Sequence, residues 1–288
     1  MAATSFTNSL ITFATKHKKA AAAQEPFKRI LSTSVEELEI DSDALGTFTG
    51  ETERQGSMID ALRGKVTLAR AKTTCRLVLT SEGSFSSSGG VGFGAAGMVH
   101  GIEMLMLHDA LTGVEILEQH ITYDTNYASA AITTADEFHR FLDQISFGSH
   151  AVALYPSGVA LQGNVQKGIS DRVQADNVFA KLLSQSPNHT VIAVSDMRAH
   201  VNPTRMDAIK ACCELLAVRL ATPCPSCGSG GFGLTATIPG LPCAECGCAT
   251  TRAKFERHSC PFCGTTKDLP RADGKQSVSA AECEWCNP

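Results

Sequence analysis

The sequence predicts an α/β fold: a mixed-sheet N-terminal domain over residues 1–220, followed by a small cysteine-rich module over residues 221–288. Three observations predict it. Short apolar runs alternate with helical periodicities through the first 220 residues, and two adjacent runs have the spacing of a hairpin. Eight of the twelve cysteines form four Cys-x-x-Cys pairs in the last quarter. The composition, 43% hydrophobic and 19% charged over 288 residues, is that of a globular chain long enough for one large and one small core.

The elements follow in order. Ser9 to Ala14 reads as a short buried strand, the basic turn Lys16-His17-Lys18-Lys19 follows it, and an alanine-rich helix runs to about Leu31. Val35 to Ile40 has strand character, and Gly46 to Glu51 is loop-like. Met58, Ala61, Leu62, Val66 and Ala69 recur at helical spacing, with Ser57 as the N-cap. Cys75 to Thr80 is a compact strand that leads into Ser81-Glu82-Gly83-Ser84-Phe85 and a glycine-rich loop reaching Gly97. Within that loop Gly92 to Gly97 formally matches GxGxxG. A strand rather than a helix is expected after it, so the segment reads as a lid and not as a dinucleotide fingerprint. Ile102–Leu107 and Val114–Ile121 form the hairpin pair. Helices near 134–144 and 171–183 alternate with strands near 150–155 and 190–194. Asn202 as N-cap with Pro203 at the first helical position opens a last helix to about Leu220. Alternating strands and helices with one hairpin favour a mixed sheet.

The cysteine pairs are Cys224/Cys227, Cys243/Cys246, Cys260/Cys263 and Cys283/Cys286. Eight thiolates are the ligand count of two tetrahedral four-cysteine zinc sites, closed and therefore structural. A glycine follows each of the first three pairs and permits the tight turn that aims backbone N–H groups at sulfur. Asn287 stands in the corresponding place after the fourth pair. Sequential pairing yields Cys-x2-Cys-x15-Cys-x2-Cys and Cys-x2-Cys-x19-Cys-x2-Cys, both of zinc-ribbon spacing. A nested arrangement, first pair with fourth and second with third, is the alternative. Cys248 is read as a bystander or a competing ligand, and Cys75, Cys212 and Cys213 as packed core residues.

Charge and hydropathy narrow the partners. A net charge of −4 lacks the basic footprint of a nucleic-acid binder. From residue 221 onward six basic residues balance six acidic ones, and each tetrathiolate zinc adds roughly two negative charges. Nucleic acid is therefore disfavoured. No apolar stretch spans a bilayer, and the basic run after the mildly apolar start reverses the order of a signal peptide. Paired cysteines used as metal ligands suit a reducing compartment, and the expected location is the cytoplasm.

Three polar segments are candidates for chemistry in the larger domain. A strand, the turn bearing Lys16, Lys18 and Lys19, and a helix N-terminus together make an anion site; a solvated basic turn is the plainer alternative. Glu82, at a strand end before glycine, is placed to bind Mg²⁺ or act as a base, against the alternative of a solvated loop carboxylate. Around the turn from Asp196 to Met206, Arg198 and Arg205 suit phosphate recognition and His200 proton transfer. Alternatively, Asp196 and Arg198 only pin that turn and His200 only packs.

Gly46-Thr47-Phe48-Thr49-Gly50-Glu51, Ser81 to Phe85, Arg198-Ala199-His200 through Met206, and Cys283-Glu284-Trp285-Cys286-Asn287-Pro288 together resemble a bacterial family known only as a domain of unknown function. That resemblance covers nearly the whole chain and implies an α/β domain with a C-terminal zinc-ribbon region. More distantly, Phe13 to Lys19 before a helix is similar to the opening strand and basic turn of the inosine triphosphate pyrophosphatase-like superfamily. Glu51, the helix carrying Lys65, and Leu79 to Gly83 are similar to its glutamate, lysine helix and acidic strand end. The similarity implies triphosphate binding at the turn. The expected function is thus a metal-dependent hydrolase acting on a phosphorylated small molecule or nucleotide. Its lysines would hold phosphate, Glu51 and Glu82 would hold Mg²⁺, and Asp196, Arg198 and His200 would complete the site. The alternative is a non-enzymatic module whose zinc region presents Trp285 to a protein partner.

Overall fold

A computed structural model describes residues 3–88 and 98–288. The GxGxxG segment lies outside the described residues. By its internal contacts the chain divides into two units, Asn8–Leu216 and Ala217–Pro288, with Met1–Thr7 grouped with the second. The division falls inside the last helix rather than at residue 221, and the opening residues belong with the cysteine-rich unit. Thr4 accounts for part of this grouping: its N–H donates to Ser229 Oγ (3.0 Å), and its carbonyl accepts from Gly230.

The larger unit holds two sheets. The first has the order β2-β1-β3-β4-β5, built from β1 (Leu10–Thr15), β2 (Ser34–Glu39), β3 (Leu77–Ser88), β4 (Met98–Asp109) and β5 (Glu115–Thr122). The first three are parallel; β3, β4 and β5 run antiparallel, so the sheet is mixed as the sequence predicts. The second, antiparallel, has the order β6-β9-β7-β8, from β6 (Ser129–Ile132), β7 (Val152–Pro156), β8 (Gln166–Ile169) and β9 (Val191–Ser195). Helices α1 (Ala20–Leu31), α2 (Met58–Arg70), α3 (Ala135–Gln144), α4 (Arg172–Gln185) and α5 (Pro203–Ala221) connect them. The short strands β6 and β8 carry no clear alternation and are not legible in the sequence.

Local chemistry sets the element ends. Ser57 and Thr134 form reciprocal capping boxes with Asp60 and Glu137, each satisfying orphan N–H groups at a helix start. Asn202 Oδ1 accepts from the Arg205 N–H at 2.9 Å, as an N-cap does, with Pro203 at the first helical position. The apolar stripe of α2 (Leu62, Val66, Ala69) packs on Ala14, Val78 and Met106 of the first sheet. In the second, α3 and α4 pack through Phe138 and Phe179, whose rings stack at 4.5 Å, over Val152, Leu154 and Val191. Each such large apolar side chain, once buried, contributes roughly 1.5–3 kcal/mol.

One strand is longer than the sequence suggests. Ser81 to Phe85, read as a loop, lies within β3, paired residue by residue with β4. Polar side chains there satisfy the strand pattern because that end of the sheet faces a polar cavity rather than the core.

The smaller unit carries a three-stranded antiparallel sheet, β10 (Gly233–Pro239), β11 (Ala253–Ser259) and β12 (Thr266–Pro270), in the order β10-β11-β12. Its apolar contacts are few, centred on Phe232 in one cluster and on Leu241 and Val278 in the other. A core this small needs a further constraint to hold it.

Candidate functional site

In the smaller unit, the strand register decides which cysteines meet. Gly233 of β10 pairs with Ser259 of β11, and Pro239 with Ala253. The knuckle before β10 (Cys224/Cys227) and the knuckle after β11 (Cys260/Cys263) therefore share one end of the hairpin. Cys243/Cys246, between β10 and β11, lies at the other end. β12 runs from Thr266 opposite Ser259 to Pro270 opposite Phe255, returning the chain to that second end. There Val278 pairs with Cys243, and Cys283/Cys286 follows.

The clusters are accordingly Cys224, Cys227, Cys260, Cys263 and Cys243, Cys246, Cys283, Cys286, with the sulfurs of each within 4.8 Å of one another. The pairing is alternating, first with third and second with fourth. This corrects both arrangements that spacing suggested, sequential and nested; spacing counts residues, whereas an antiparallel strand reverses direction and carries the next knuckle to the opposite end.

The sulfur positions suit a metal. Zinc with Zn–S of about 2.3 Å requires sulfurs about 3.8 Å apart at the corners of a tetrahedron. The measured distances are 3.6 Å (Cys224–Cys263), 3.7 Å (Cys227–Cys260), 3.9 Å (Cys243–Cys286) and 3.7 Å (Cys246–Cys283). Gly228, Gly247 and Gly264 take φ of 74°, 70° and 72°, the left-handed conformation that closes each knuckle. Their N–H groups, and that of Asn287, donate to the carbonyl of the first cysteine of their pair. Cys248 belongs to neither cluster. Both clusters could hold metal ions, and all four positions of each are protein ligands.

In the larger unit, a cavity of about 350 Å³ opens beside the C-terminal end of β1 and the polar stretch of β3. Register explains the placement. β1 pairs with β3 through Phe13↔Leu79, so the turn after Thr15 arrives beside Ser81 and Glu82. Seven cationic side chains line the cavity: Lys16, Lys19, Arg54, Lys65, Lys167, Arg198 and Arg205. Against them stand two carboxylates, Asp43 and Glu82.

Of the predicted phosphate ligands, Lys16, Lys19, Arg198 and Arg205 line this cavity, whereas Lys18 is exposed and absent from the lining. Lys16 pairs with Asp41 at 2.9 Å and Asp43 at 2.6 Å. Arg205, buried, donates to Glu103 (2.7 Å) and the Met197 carbonyl and lies over the Phe85 ring at 5.1 Å. Arg198 is held by Asp196, Nε to Oδ1 at 3.0 Å and Nη2 to Oδ2 at 2.6 Å.

The predicted catalytic residues do not converge. Glu82 lines the cavity, but Arg54 holds one carboxylate oxygen (3.1 Å) and Lys65 the other. Burial pushes the Glu82 carboxyl up, and the charges of Lys65, Lys19 and Arg54 outweigh this and hold it below the usual range. Asp196 is fully buried and occupied with Arg198 and the Gly168 N–H (2.8 Å), which makes it a positioning group. His200 is exposed, outside the lining, and stacks on His17 with ring centroids 5.1 Å apart. Burial, then Lys19 and the His200 and Arg198 charges, lower His17 to about 3. Burial and then Arg198 lower His200 in the same direction. Both rings are therefore neutral at neutral pH, and His17 in particular resists protonation.

Magnesium shared by Glu51 and Glu82 does not fit. Glu51 is bound to Lys167, outside the lining, and Glu82 is held by two cations. Among the described residues, the groups of three or more His, Cys, Asp or Glu placed to share an ion are the two cysteine clusters.

Sequence reasoning missed Arg54, Lys167, Glu103 and the lining role of His17. His17 sits within the basic turn but only its lysines carry the reading, and the other three sit in no motif; Arg54 and Lys167 come from a loop and a short strand far apart in sequence. Gly83 is the nearest to a signal. A Cβ there would overlap the Arg205 guanidinium and lie 2.7 Å from Glu103 Oε1.

A mixed α/β unit with a cationic cavity, and a sheet-based unit with two four-cysteine clusters, define a globular chain with metal-binding capacity. Over residues 65–288 the chain matches the family described as a domain of unknown function, DUF6671, and it belongs to that family. No curated protein matches it, and no solved structure does. The inosine triphosphate pyrophosphatase resemblance thus finds no support in these comparisons. No helix among the described residues is long and apolar enough to cross a membrane.

Proposed function

We propose that the larger unit binds a phosphorylated small molecule and promotes its hydrolysis, and that zinc fills both cysteine clusters as a structural metal. The observation that carries the first reading is the lining of the cavity: seven basic side chains converge on a space of about 350 Å³, with two carboxylates in the lining and four more paired to those side chains from outside it. That volume suits a small ligand, and cations fixed in a half-enclosed site stabilise the spread charge of a transferring phosphoryl group. Lys16, Arg54, Lys167 and Arg198 are half-buried and positioned to exchange a carboxylate for phosphate oxygens. His17, neutral and lining the cavity, offers a ring nitrogen as hydrogen-bond acceptor to orient an attacking water, with His200 stacked behind it.

Calorimetric titration with inorganic pyrophosphate and with a nucleoside triphosphate tests binding; phosphate release tests turnover. Binding that weakens with salt is expected. Arg54→Ala or Lys167→Ala should each weaken it about ten-fold, the loss of one charge-assisted contact. A protein that binds neither compound, and whose activities Glu82→Gln leaves intact, ends this reading.

A second reading has an observation of its own. Trp285, on the last cysteine knuckle, is 73% exposed, and an exposed tryptophan on a rigid tip is suited to a protein partner. Capture of a partner that persists after Trp285→Ala would count against it.

A further inference from the structure

Six of the seven cations lining the cavity have a carboxylate within ion-pair distance. Lys16 has Asp41 and Asp43, Arg54 and Lys65 share Glu82, Lys167 has Glu51, Arg198 has Asp196, and Arg205 has Glu103. Lys19 alone has none among the described residues. It is 6% exposed, and its Nζ donates to Ser81 Oγ at 3.0 Å. A buried ammonium with no counter-ion is costly, and such a group tends to shed its proton.

We propose that Lys19 is a nucleophilic lysine that captures a phosphorylated aldehyde or ketone as an imine. The inference rests on the reading of the cavity as a phosphoanion site. Geometry supplies three requirements of such a residue: Lys19 lines a cavity, no carboxylate of the described residues lies within ion-pair distance of its amine, and six other basic side chains line the same cavity to receive the ligand's phosphate in place of their carboxylates. The electrostatics agree. Burial, then the charges of Arg205 and Lys65, lower Lys19 to about 7 against the opposing pull of the more distant Glu103 and Glu82. A lysine desolvated beside other cations is a recognised form of activated amine. At pH 7 roughly a thousand-fold more of it is neutral than of an ordinary lysine. In the step itself the nitrogen lone pair attacks the carbonyl carbon and a C–N bond forms. The carbonyl oxygen then leaves with both amine hydrogens as water, giving C=N. No oxidant or reductant is consumed.

The test uses the full chain with its metals in place. The protein is incubated at pH 7 with pyridoxal 5′-phosphate or with unphosphorylated pyridoxal, the imine is trapped with cyanoborohydride, and labelled lysines are mapped by mass spectrometry. Pyrophosphate binding is measured on the same sample. The expected result is Lys19 labelled well ahead of the exposed Lys18, at least ten-fold more by the phosphorylated aldehyde (about 1.4 kcal/mol of recognition) and blocked by pyrophosphate. Lys19 labelled no faster than Lys18 overturns the proposal; if pyrophosphate still binds that sample, the phosphoanion reading survives. Equal labelling by both aldehydes with no pyrophosphate protection overturns the proposal through its phosphate requirement, and the phosphoanion reading falls with it.

Discussion

Gly83 and Lys19 show how single residues tune the cavity. Arg205 reaches it only because residue 83 has no side chain: a Cβ would overlap the guanidinium and crowd Glu103. Gly83→Ala should therefore part a buried ion pair. A destabilisation of about 3 kcal/mol is expected in urea unfolding, since a broken buried pair leaves desolvated charge. Lys19 acts in the opposite sense. Its amine is near 7 in the fold and 10.5 in the unfolded chain, so between those values the unfolded chain binds the extra proton. Stability accordingly rises with pH from 7 to 10.5. Lys19→Met should gain on the order of 2–4 kcal/mol at pH 7, a gain that shrinks to nothing by pH 10.5. His17 shapes the acid side by the same rule. Held near 3 against an ordinary 6.5, it refuses a proton that the unfolded chain accepts, and its contribution is lost as pH falls from 6.5 towards 3. Replacing His17 by Gln should flatten that limb of a pH–stability curve; an unchanged slope would place the effect in the carboxylates instead.

At the scale of elements, the hairpin β10–β11 determines which knuckles share a metal, and the consequence can be counted. Cys224→Ser with Cys260→Ser damages one site and should leave about one metal per chain by elemental analysis, because the other four-cysteine site is intact. Cys224→Ser with Cys243→Ser damages both and should leave close to none. Sequential pairing would give the reverse outcome for these two variants. The same elements show what a sequence can reveal. Helix starts at Ser57, Thr134 and Asn202 are legible because a cap is a local interaction, complete within four residues. The eight clustered cysteines are legible because four Cys-x-x-Cys pairs in one short stretch match the spacing of metal ligands. Their partnership is not, because it depends on strand direction. The cavity is intermediate. Lys16 and Lys19 stand just past the end of β1, where ligands gather, and could be read from the chain, as could Glu82, although it lies within β3 rather than at its end. Arg54, Lys167 and Glu103 enter from a loop, a four-residue strand and the partner strand of β3, contacts that no local pattern records. For Asp196 and His200 the sequence leaves two readings open, because proximity to Arg198 does not reveal that one is buried as a brace and the other exposed.

Across the whole molecule, the two units differ in what holds them. Asn8–Leu216 has helices packed on both sheets with large buried aromatics, whereas Ala217–Pro288 has two small apolar clusters around its cysteines. Removing metal should therefore act on one unit far more than on the other. The chain reports the difference by itself, since Trp285 is the only tryptophan and belongs to the cysteine-rich unit. Far-UV circular dichroism, by contrast, is dominated by α1 to α4 and the greater part of α5, all in the larger unit. With metal bound, denaturant should move the tryptophan signal in a cooperative transition at high concentration, because binding energy at a tetrathiolate site is folding energy. With a strong chelator and a reductant present, that transition should shift to much lower denaturant or vanish, while the helical signal keeps its midpoint. Readdition of zinc should restore it. A chelator that moves both signals together would show that the larger unit depends on the metal sites as well, and one that moves neither would remove the clusters from the list of stabilising features.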